Sequence, residues 1–187
     1  MDPFNFFNMP AVDQVAAVYI GYFGRAPDAD GRDFWVADLN AGLSQGRSPA
    51  ATAQEMASDF RFSDEAQGIY PFLDPAVSQN ASAAQIDDFV GDVFDNLFNR
   101  TPEAAGLDFW TGEIQERLGS GQTIGDVIVD VMTGAGGDDV TTLQNKIEVA
   151  NAYTNQASTS QADESVQLVG SVDATQASVD QALSQIG

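Results

Sequence analysis

Apolar side chains return every three or four residues along several stretches of the chain, which is the spacing of one face of an α-helix. The two clearest stretches lie within residues 12–23 and 86–98. Each predicts an amphipathic helix. No stretch shows the alternation of apolar and polar residues that is typical of a half-buried strand. The pattern therefore predicts an all-α fold, arranged as a helical bundle.

The two helices open an internal repeat. Residues 15–35 align with residues 90–110 at a constant offset of 75 without a gap, and ten of the 21 aligned residues are identical. Two copies of one helical unit explain such a match. The repeated residues with the most distinctive chemistry are Phe23, Arg25, Pro27, Gly31, Phe34 and Trp35 in the first copy and Phe98, Arg100, Pro102, Gly106, Phe109 and Trp110 in the second.

Residues after the first helix of each copy predict where it ends and where a second helix begins. Gly24 and Asn99 are suited to ending the first helix. Pro27 and Pro102 are expected at the first position of the second helix, where proline is favoured. In the second copy Thr101 is an N-cap candidate for that helix.

A third and a fourth helix are expected to complete each copy. Ser48 and Thr123 are N-cap candidates for the third helix, and Asp126 completes a capping box with Thr123. Apolar spacing predicts a fourth helix over about residues 139–154, with a shorter counterpart around residues 63–70. The expected segments are an N-terminal arm, two helical repeat units, and a linker with a C-terminal helix, over residues 1–11, 12–80, 81–154 and 155–187.

The two ends of the chain differ in character. Phe4, Phe6, Phe7 and Met9 form an apolar cluster ahead of the first repeat helix, and the second copy has no such cluster. We expect this arm to dock either on its own subunit or on a neighbouring one as an assembly contact. Residues 155–165 are small and polar and predict a loop, before a short last helix.

Charge and composition narrow the classes of function. The chain of 187 residues has 28 Asp and Glu against 7 Lys and Arg, a formal net charge of −21, yet 43% of its residues are apolar and can form a core. Such a charge disfavours nucleic acid and anionic lipid surfaces, which bind through Lys and Arg. The expected partners are other copies of the chain or cell-surface glycans.

The chain has no His and no Cys. This composition excludes the usual nucleophile–base pairs, thiolate or imidazole metal sites, and disulfides. No spacing of carboxylates suggests a hydrolase, so we expect no enzymatic activity and no required cofactor. The first basic residue is Arg25, and no apolar run approaches a membrane span. Neither a cleaved secretory signal nor a transmembrane segment is therefore expected. This leaves two alternatives, the cytoplasm and export without a cleaved N-terminal signal.

Two acidic groups are candidates for calcium. Asp28, Asp30 and Asp33 lie around a glycine, and carboxylate oxygens are the ligands that Ca²⁺ prefers. The spacing does not fit an EF-hand, and the alternative is that these carboxylates stabilise the start of a helix. Asp138 and Asp139 form the second candidate, and Asp139 is equally suited to capping the following helix. These carboxylates therefore have two alternative roles, Ca²⁺ binding and stabilisation of helix starts.

The repeated aromatic residues are interpreted as core, rather than as platforms for sugar stacking. Trp35 and Trp110 are expected in equivalent buried sites. Arg25 and Arg100 are expected to meet exposed carbonyls at the end of a helix, with ligand binding as the alternative. The repeated glycines, at positions 31 and 106, predict close packing or a positive φ.

The strings YFGRAPDADGRDFW and LFNRTPEAAGLDFW, at residues 22–35 and 97–110, resemble the signature of the DUF4214 domain family. Residues 133–150 and 172–186 are similar to that family as well, so the resemblance covers most of the chain from Val12 onward. The family is all-helical, occurs in exported bacterial surface proteins of the surface-layer and RTX-associated kinds, and is distantly similar to phycobilisome linker domains. The chain lacks the glycine-rich nonapeptides of the calcium-repeat members, so no calcium roller is expected.

The resemblance implies a location outside the cell and does not imply a chemical reaction. The function expected from it is a non-enzymatic extracellular structural protein, either self-assembling or surface-anchoring, as in a surface layer, filament or matrix. One alternative is an adhesion module for a glycan such as lipopolysaccharide, with Ca²⁺ as a bridge. Another is a linker that scaffolds a different protein assembly.

Overall fold

A computed structural model describes residues 5–156 and 162–186. Over these ranges the chain forms ten α-helices and no strand, so the all-α prediction is confirmed. Among the described residues, no helix combines the length and the hydrophobicity of a membrane span. The helices are α1 Ala11–Phe23, α2 Ala29–Ser44, α3 Pro49–Asp59, α4 Asp64–Ile69, α5 Ala83–Phe98, α6 Ala104–Gly119, α7 Val127–Thr133, α8 Asp138–Gln156, α9 Ala162–Gly170 and α10 Gln176–Leu183.

The sequence repeat is also a repeat of local structure. Helices α2 and α6 have 16 residues each and begin and end at the offset of 75. Helices α1 and α5 end on left-handed residues at the same offset, Gly24 with φ 64° and Asn99 with φ 55°. Such a residue after the last turn ends a helix by pointing its N–H back at an unpaired carbonyl. The predicted ends of the first helix of each copy are therefore confirmed.

The two copies meet through equivalent residues. Helix α1 packs on α5, and the side-chain amide of Asn96 donates to the carbonyl of Gly21 at 3.2 Å. Gly21 and Asn96 hold the same position in the two copies, since they are 75 residues apart. Helices α3 and α7, another equivalent pair, also contact each other. Contacts between matching positions are those of a two-fold pair.

One hydrophobic core joins the two predicted repeat units. Helices α1, α5 and α8 contact one another, and apolar residues of both units form a single buried cluster. Tyr22 is fully buried, and its hydroxyl donates to the carbonyls of Ala57 at 2.9 Å and Gly125 at 3.1 Å. One carbonyl belongs to each unit, so the units are halves of one core.

Two predicted helix starts are wrong. Helix α2 begins at Ala29, two residues after the proline, because the carboxylate of Asp28 accepts from the N–H of Gly31 and caps the helix. Helix α6 begins at the matching residue, so Thr101 is not its N-cap. The side chain of Ser48, by contrast, caps α3 as expected.

Helix α7 also starts later than expected. It begins at Val127, so Thr123 does not cap it, and the side chain of Asp126 makes no cap hydrogen bond. The carboxylate of Asp126 instead accepts from Arg117 at 3.2 Å. A competing ion pair therefore displaces the predicted capping box.

The N-terminal arm docks on its own subunit. Phe6 is completely buried, and Phe7 and Met9 are half-buried against the core. The short 3-10 helix Phe6–Asn8 contacts α3 and α7. The described part of the arm therefore docks in cis, the first of the two alternatives, whereas Phe4 lies outside the described residues. A contact of the arm with a neighbouring subunit stays a prediction.

The C-terminal segment packs against both repeat motifs. Helices α9 and α10 lie on α8, and residues 162–165, which were predicted to be loop, form the first turn of α9. The hydroxyl of Ser165 accepts from the N–H of Ala26 at 2.8 Å. The side-chain amide of Asn99 donates to the carbonyl of Val172 at 2.7 Å. This segment thus holds the chain just beyond α1 and α5.

Candidate functional site

The repeated arginines form the same joint in both copies. Nε and Nη2 of Arg25 donate to the two carboxylate oxygens of Glu65 at 2.9 and 2.6 Å, and those of Arg100 donate to Asp139 at 2.8 and 2.6 Å. In each copy Nη1 donates to the carbonyl of the next residue, at 2.8 and 3.2 Å. Each guanidinium therefore ties the end of one helix to the first turn of another.

Aromatic rings support both guanidinium groups. The centre of the Arg25 guanidinium lies 5.1 Å from one ring centroid and 5.4 Å from a second, and that of Arg100 lies at 5.1 and 5.8 Å. Burial opposes the charge of Arg25, but the hydrogen bonds and charge of Glu65 outweigh it and raise the pKa of Arg25. Both arginines are therefore engaged in ion pairs and ring contacts within the chain. The rings are Tyr19, Phe23, Phe94 and Phe98.

We expect Arg25→Gln to destabilise the fold by about 2 kcal/mol and Arg100→Gln by less than about 1 kcal/mol. The two joints match in geometry, but the side chain of Arg25 is 9% exposed and that of Arg100 is 41% exposed. Water therefore screens the guanidinium of Arg100 more strongly than that of Arg25, although Glu65 is more exposed than Asp139. Urea unfolding followed by circular dichroism measures both losses, and equal losses would contradict the role assigned to burial.

The first calcium candidates serve helix α2. Asp28 is the N-cap, with 2.7 Å between its Oδ1 and the nitrogen of Gly31. Asp30 is exposed in the first turn, and Asp33 lies beside Arg32 at 3.1 Å. This placement fits the structural alternative, in which carboxylates stabilise the start of a helix.

The second calcium candidates, Asp138 and Asp139, have different surroundings. Asp139 binds Arg100, whereas Asp138 is exposed in the first turn of α8. Within residues 5–156 and 162–186, no group of three or more acidic residues is placed to hold a metal ion. The structure therefore does not bring the calcium candidates together, and calcium binding stays a prediction.

The repeated glycines differ in their surroundings. A Cβ on Gly31 would collide with the hydroxyl of Tyr19, so close packing requires a glycine there. A Cβ on Gly106 would have no atom within 4 Å, and nothing in the structure explains that glycine. Neither residue has a positive φ. The prediction of close packing is thus confirmed only in the first copy.

The two tryptophans are half-buried rather than buried. Trp35 stacks on Phe60 with 4.6 Å between ring centroids. Residue Ala135 takes the place of Phe60 at the offset of 75, so Trp110 has no equivalent ring beneath it. The prediction of equivalent buried sites is wrong. The remaining motif residues pack as core to different degrees, with Pro27 and Phe98 buried and Phe23 and Pro102 half-buried.

Phe34 and Phe109 point outward. They are 64% and 61% exposed, so their interpretation as core is wrong. Each lies edge-on to the next residue, Trp35 or Trp110, with 5.0 Å between centroids and interplanar angles of 81° and 77°. We call Phe34 with Trp35 the first aromatic platform, and Phe109 with Trp110 the second aromatic platform. Exposure of the same motif position in both copies makes these platforms the candidate functional site.

The phase of the helix explains why the phenylalanines are exposed. Residues of α2 that face the core are Leu39 and Gly42, with Trp35 partly buried on the same stripe. Phe34 is one residue, or about 100°, away from that stripe and therefore turns toward solvent. This spacing was the signal in the sequence that could have identified the platform.

The platforms differ in the charge beside them. Asp30 and Asp38 lie four residues before and after Phe34, and all three are exposed, so they share one outer stripe of α2. Ala105 and Glu113 hold the corresponding positions beside the second platform. The carboxylate of Glu113 accepts from Nε of Arg117 at 2.9 Å and is thus already paired. At the four-residue spacing, therefore, only the first platform has two carboxylates that form no ion pair with any described residue.

Comparison of the chain with protein-family models, curated proteins and solved structures finds no match. The resemblance to the DUF4214 family therefore stays a prediction.

Proposed function

We propose that the protein is a non-enzymatic structural module of the cell exterior, self-assembling or surface-anchoring, that attaches to other components through its two aromatic platforms. The observation that carries this proposal is the exposure of Phe34 and Phe109 at equivalent positions. Burying one such ring is worth about 1.5–3 kcal/mol. Two outward rings at matched positions therefore offer a substantial gain to any component that covers them.

The contrast between the repeated charged residues and the two exposed phenylalanines supports this proposal. Arg25 and Arg100 join helices, and Asp28 caps one, so these charged groups act within the fold. Phe34 and Phe109 have no such internal task, since most of each ring is in solvent. The absence of His and Cys from the sequence supports a role without catalysis.

Two platforms make one chain divalent. A component that binds either platform can bind the other, so repeated contacts extend into an array instead of closing as a pair. Direct contact between copies must overcome the repulsion of chains that each carry a net charge of −21. Self-assembly is therefore expected only where salt or divalent cations reduce that repulsion, whereas anchoring on another component has no such requirement.

We expect the Phe34→Ser/Phe109→Ser double variant to be released from the surface of cells that produce the protein, and to stay monomeric in solution. The rings are exposed, so helicity and melting temperature should not change. The measurements are the fraction of protein retained on washed cells, and sedimentation in millimolar Ca²⁺ or in NaCl of equal ionic strength. Phe62→Ser, at an exposed ring outside both platforms, is the control and should behave as wild type.

The single variants sharpen this test. If the platforms are the points of attachment, each single variant keeps one of them and stops at small closed species where the wild type forms larger ones. A double variant that is retained and assembles like the wild type would contradict the proposed function. Equal effects of Ca²⁺ and NaCl would show that cations act by screening alone.

Glycan binding is the second candidate. An exposed ring beside carboxylates, as at Phe34, Asp30 and Asp38, can stack on the apolar face of a sugar while accepting hydrogen bonds from its hydroxyls. Ca²⁺ could bridge these carboxylates to an anionic sugar such as lipopolysaccharide. Release of retained protein by soluble lipopolysaccharide, together with a requirement for Ca²⁺, would favour this candidate.

A further inference from the structure

We infer that the first aromatic platform is a docking site for a cationic protein segment, which places an arginine or lysine side chain over Phe34 between Asp30 and Asp38. This inference rests on the proposed function, because it names the chemistry of the component that the platform binds. It also makes the two platforms unequal, with the first binding such a segment more tightly than the second.

The surface charge selects the occupant. Five of the seven basic residues are arginines in ion pairs within the chain, and the single lysine is buried. The remaining one, Arg61, lies over Phe62. A second copy would therefore bring mainly carboxylates toward the carboxylates of the first platform. Charge complementarity favours a cationic partner instead.

The chain already uses the same contact internally. Arg25 and Arg100 lie over aromatic rings while a carboxylate holds each guanidinium from the side. Arg61 lies 4.5 Å from the ring centroid of Phe62. A cation over an aromatic face and next to a carboxylate is thus the recurrent arrangement of this protein. At Phe34 the ring and the carboxylates are present on the surface, where another molecule can supply the cation.

Neighbouring basic residues leave the first platform open. Arg32, two residues before Phe34, is directed to Asp33 at 3.1 Å and to the side-chain oxygen of Asn155 at 2.7 Å. Phe34 remains 64% exposed beside it. Among residues 5–156 and 162–186, no cation lies over this ring, so it can accept one from a partner.

The second platform provides a control within the same molecule. Phe109 has nearly the same exposure and the same edge-on tryptophan as Phe34. The four-residue neighbours of Phe109 are an alanine and Glu113, whose carboxylate Arg117 already holds. A comparison of the two platforms thus separates the contribution of the flanking charge from that of the ring.

The test is binding of a fluorescein-labelled oligo-arginine peptide to the full chain, measured by fluorescence anisotropy in about 0.1 M NaCl, where the screening length is about 10 Å. We expect Phe34→Ala to weaken binding about fivefold, the size of an exposed cation–π contact. Phe109→Ala should weaken it less than about twofold, and Phe62→Ala should leave it unchanged. These substitutions do not alter net charge, so general attraction between the acidic protein and the peptide stays constant.

The flanking carboxylates need a charge-matched control. We expect Asp30→Asn/Asp38→Asn to weaken binding at least about threefold more than Asp88→Asn/Asp180→Asn, a pair of exposed aspartates elsewhere, since close charges act more strongly than distant ones. Equal effects of the two double variants, or no effect of Phe34→Ala, would mean uniform electrostatic attraction and would overturn the inference. Circular dichroism confirms that each variant is folded.

Other outcomes identify a different occupant. If Phe34→Ala abolishes self-association without peptide while peptide binding is unchanged, a second copy covers the platform and the inference is wrong. If the Phe34→Ser/Phe109→Ser variant is released from cells but wild type and Phe34→Ala bind the peptide equally, the proposed function stands and the inference fails. Retention of that variant on cells, together with peptide binding that depends on Phe34, would contradict the proposed function alone.

Discussion

We expect Gly125→Ala to destabilise the protein by about 3 kcal/mol, through overpacking and the loss of buried hydrogen bonds. A Cβ at this position would lie 2.7 Å from Cα of Ser58, 2.7 Å from the hydroxyl of Tyr22 and 2.8 Å from the carbonyl oxygen of Ala57. Two of these atoms belong to the backbone of α3 and cannot rotate away. The two halves of the core must therefore separate, and the hydroxyl of Tyr22 loses its carbonyl partners from both.

A second glycine gives the matched control. Gly112 lies within α6, and a Cβ there would have no atom within 4 Å. Gly112→Ala should therefore stabilise the protein by about 0.5–1 kcal/mol, the difference in helix propensity. Urea unfolding of both variants measures the contrast. If Gly125→Ala were as stable as Gly112→Ala, the close contact between the halves of the core would be wrong.

Features that depend on a few adjacent residues could be predicted from the sequence. The ends of α1 and α5 follow from Gly24 and Asn99, because a left-handed residue after the last turn is a local choice of the backbone. The cap of α3 follows from Ser48 for the same reason. The repeat itself is visible as a constant offset, so the number and order of the helices within the two copies could be predicted, whereas α9 could not.

Features that depend on residues far apart in the sequence could not be predicted from it. The carboxylate that binds Arg25 is 40 residues away, at Glu65, and no spacing in the sequence connects the two. The shared core depends on Tyr22 reaching both Ala57 and Gly125. Local patterns indicate which residues form a helix, but not which distant element that helix contacts.

The exposure of the candidate site also depends on residues that are distant in the sequence. Phe34 and Phe109 were identified by their repetition, but repetition alone does not distinguish a buried residue from an exposed one. The exposure of Phe34 follows from the contact of α2 with α1, which turns Trp35 and Leu39 inward, and that of Phe109 follows from the matching contact of α6 with α5, which turns Ile114 inward. The sequence could not choose between the two docking modes of the apolar arm for a similar reason, since Phe6 fills a space between elements that are distant in sequence.

The only lysine of the chain is placed where its charge is unfavourable. Lys146 is 1% exposed, and its Nζ donates to the carbonyl of Asn96 at 2.6 Å and lies 3.5 Å from that of Asp95, at the end of α5. Unpaired carbonyls at the end of a helix attract a cation. Burial nevertheless dominates and lowers the pKa of Lys146 to about 8, although the charge of Asp95 acts in the opposite direction.

We therefore expect the protein to become more stable as the pH rises from 8 to 10. In the unfolded chain Lys146 keeps its ordinary pKa of about 10.4, so between these values the unfolded state binds more protons than the folded state, and the free energy of unfolding increases with pH. The lowered pKa corresponds to a gain of about 2–3 kcal/mol by pH 10. No His or Cys titrates in this range, since the chain has neither.

Stability should fall again above about pH 10, where unfolded tyrosines ionise. Burial, followed by the charge of Asp28, raises the pKa of Tyr19 to about 12, so the folded state retains this proton longer. Urea unfolding at constant ionic strength across this range measures the profile. Lys146→Met should remove the rise between pH 8 and 10 while the fall above pH 10 remains. A rise that persists in Lys146→Met would assign it to another group, and a flat wild-type profile would mean that Lys146 stays charged in the core.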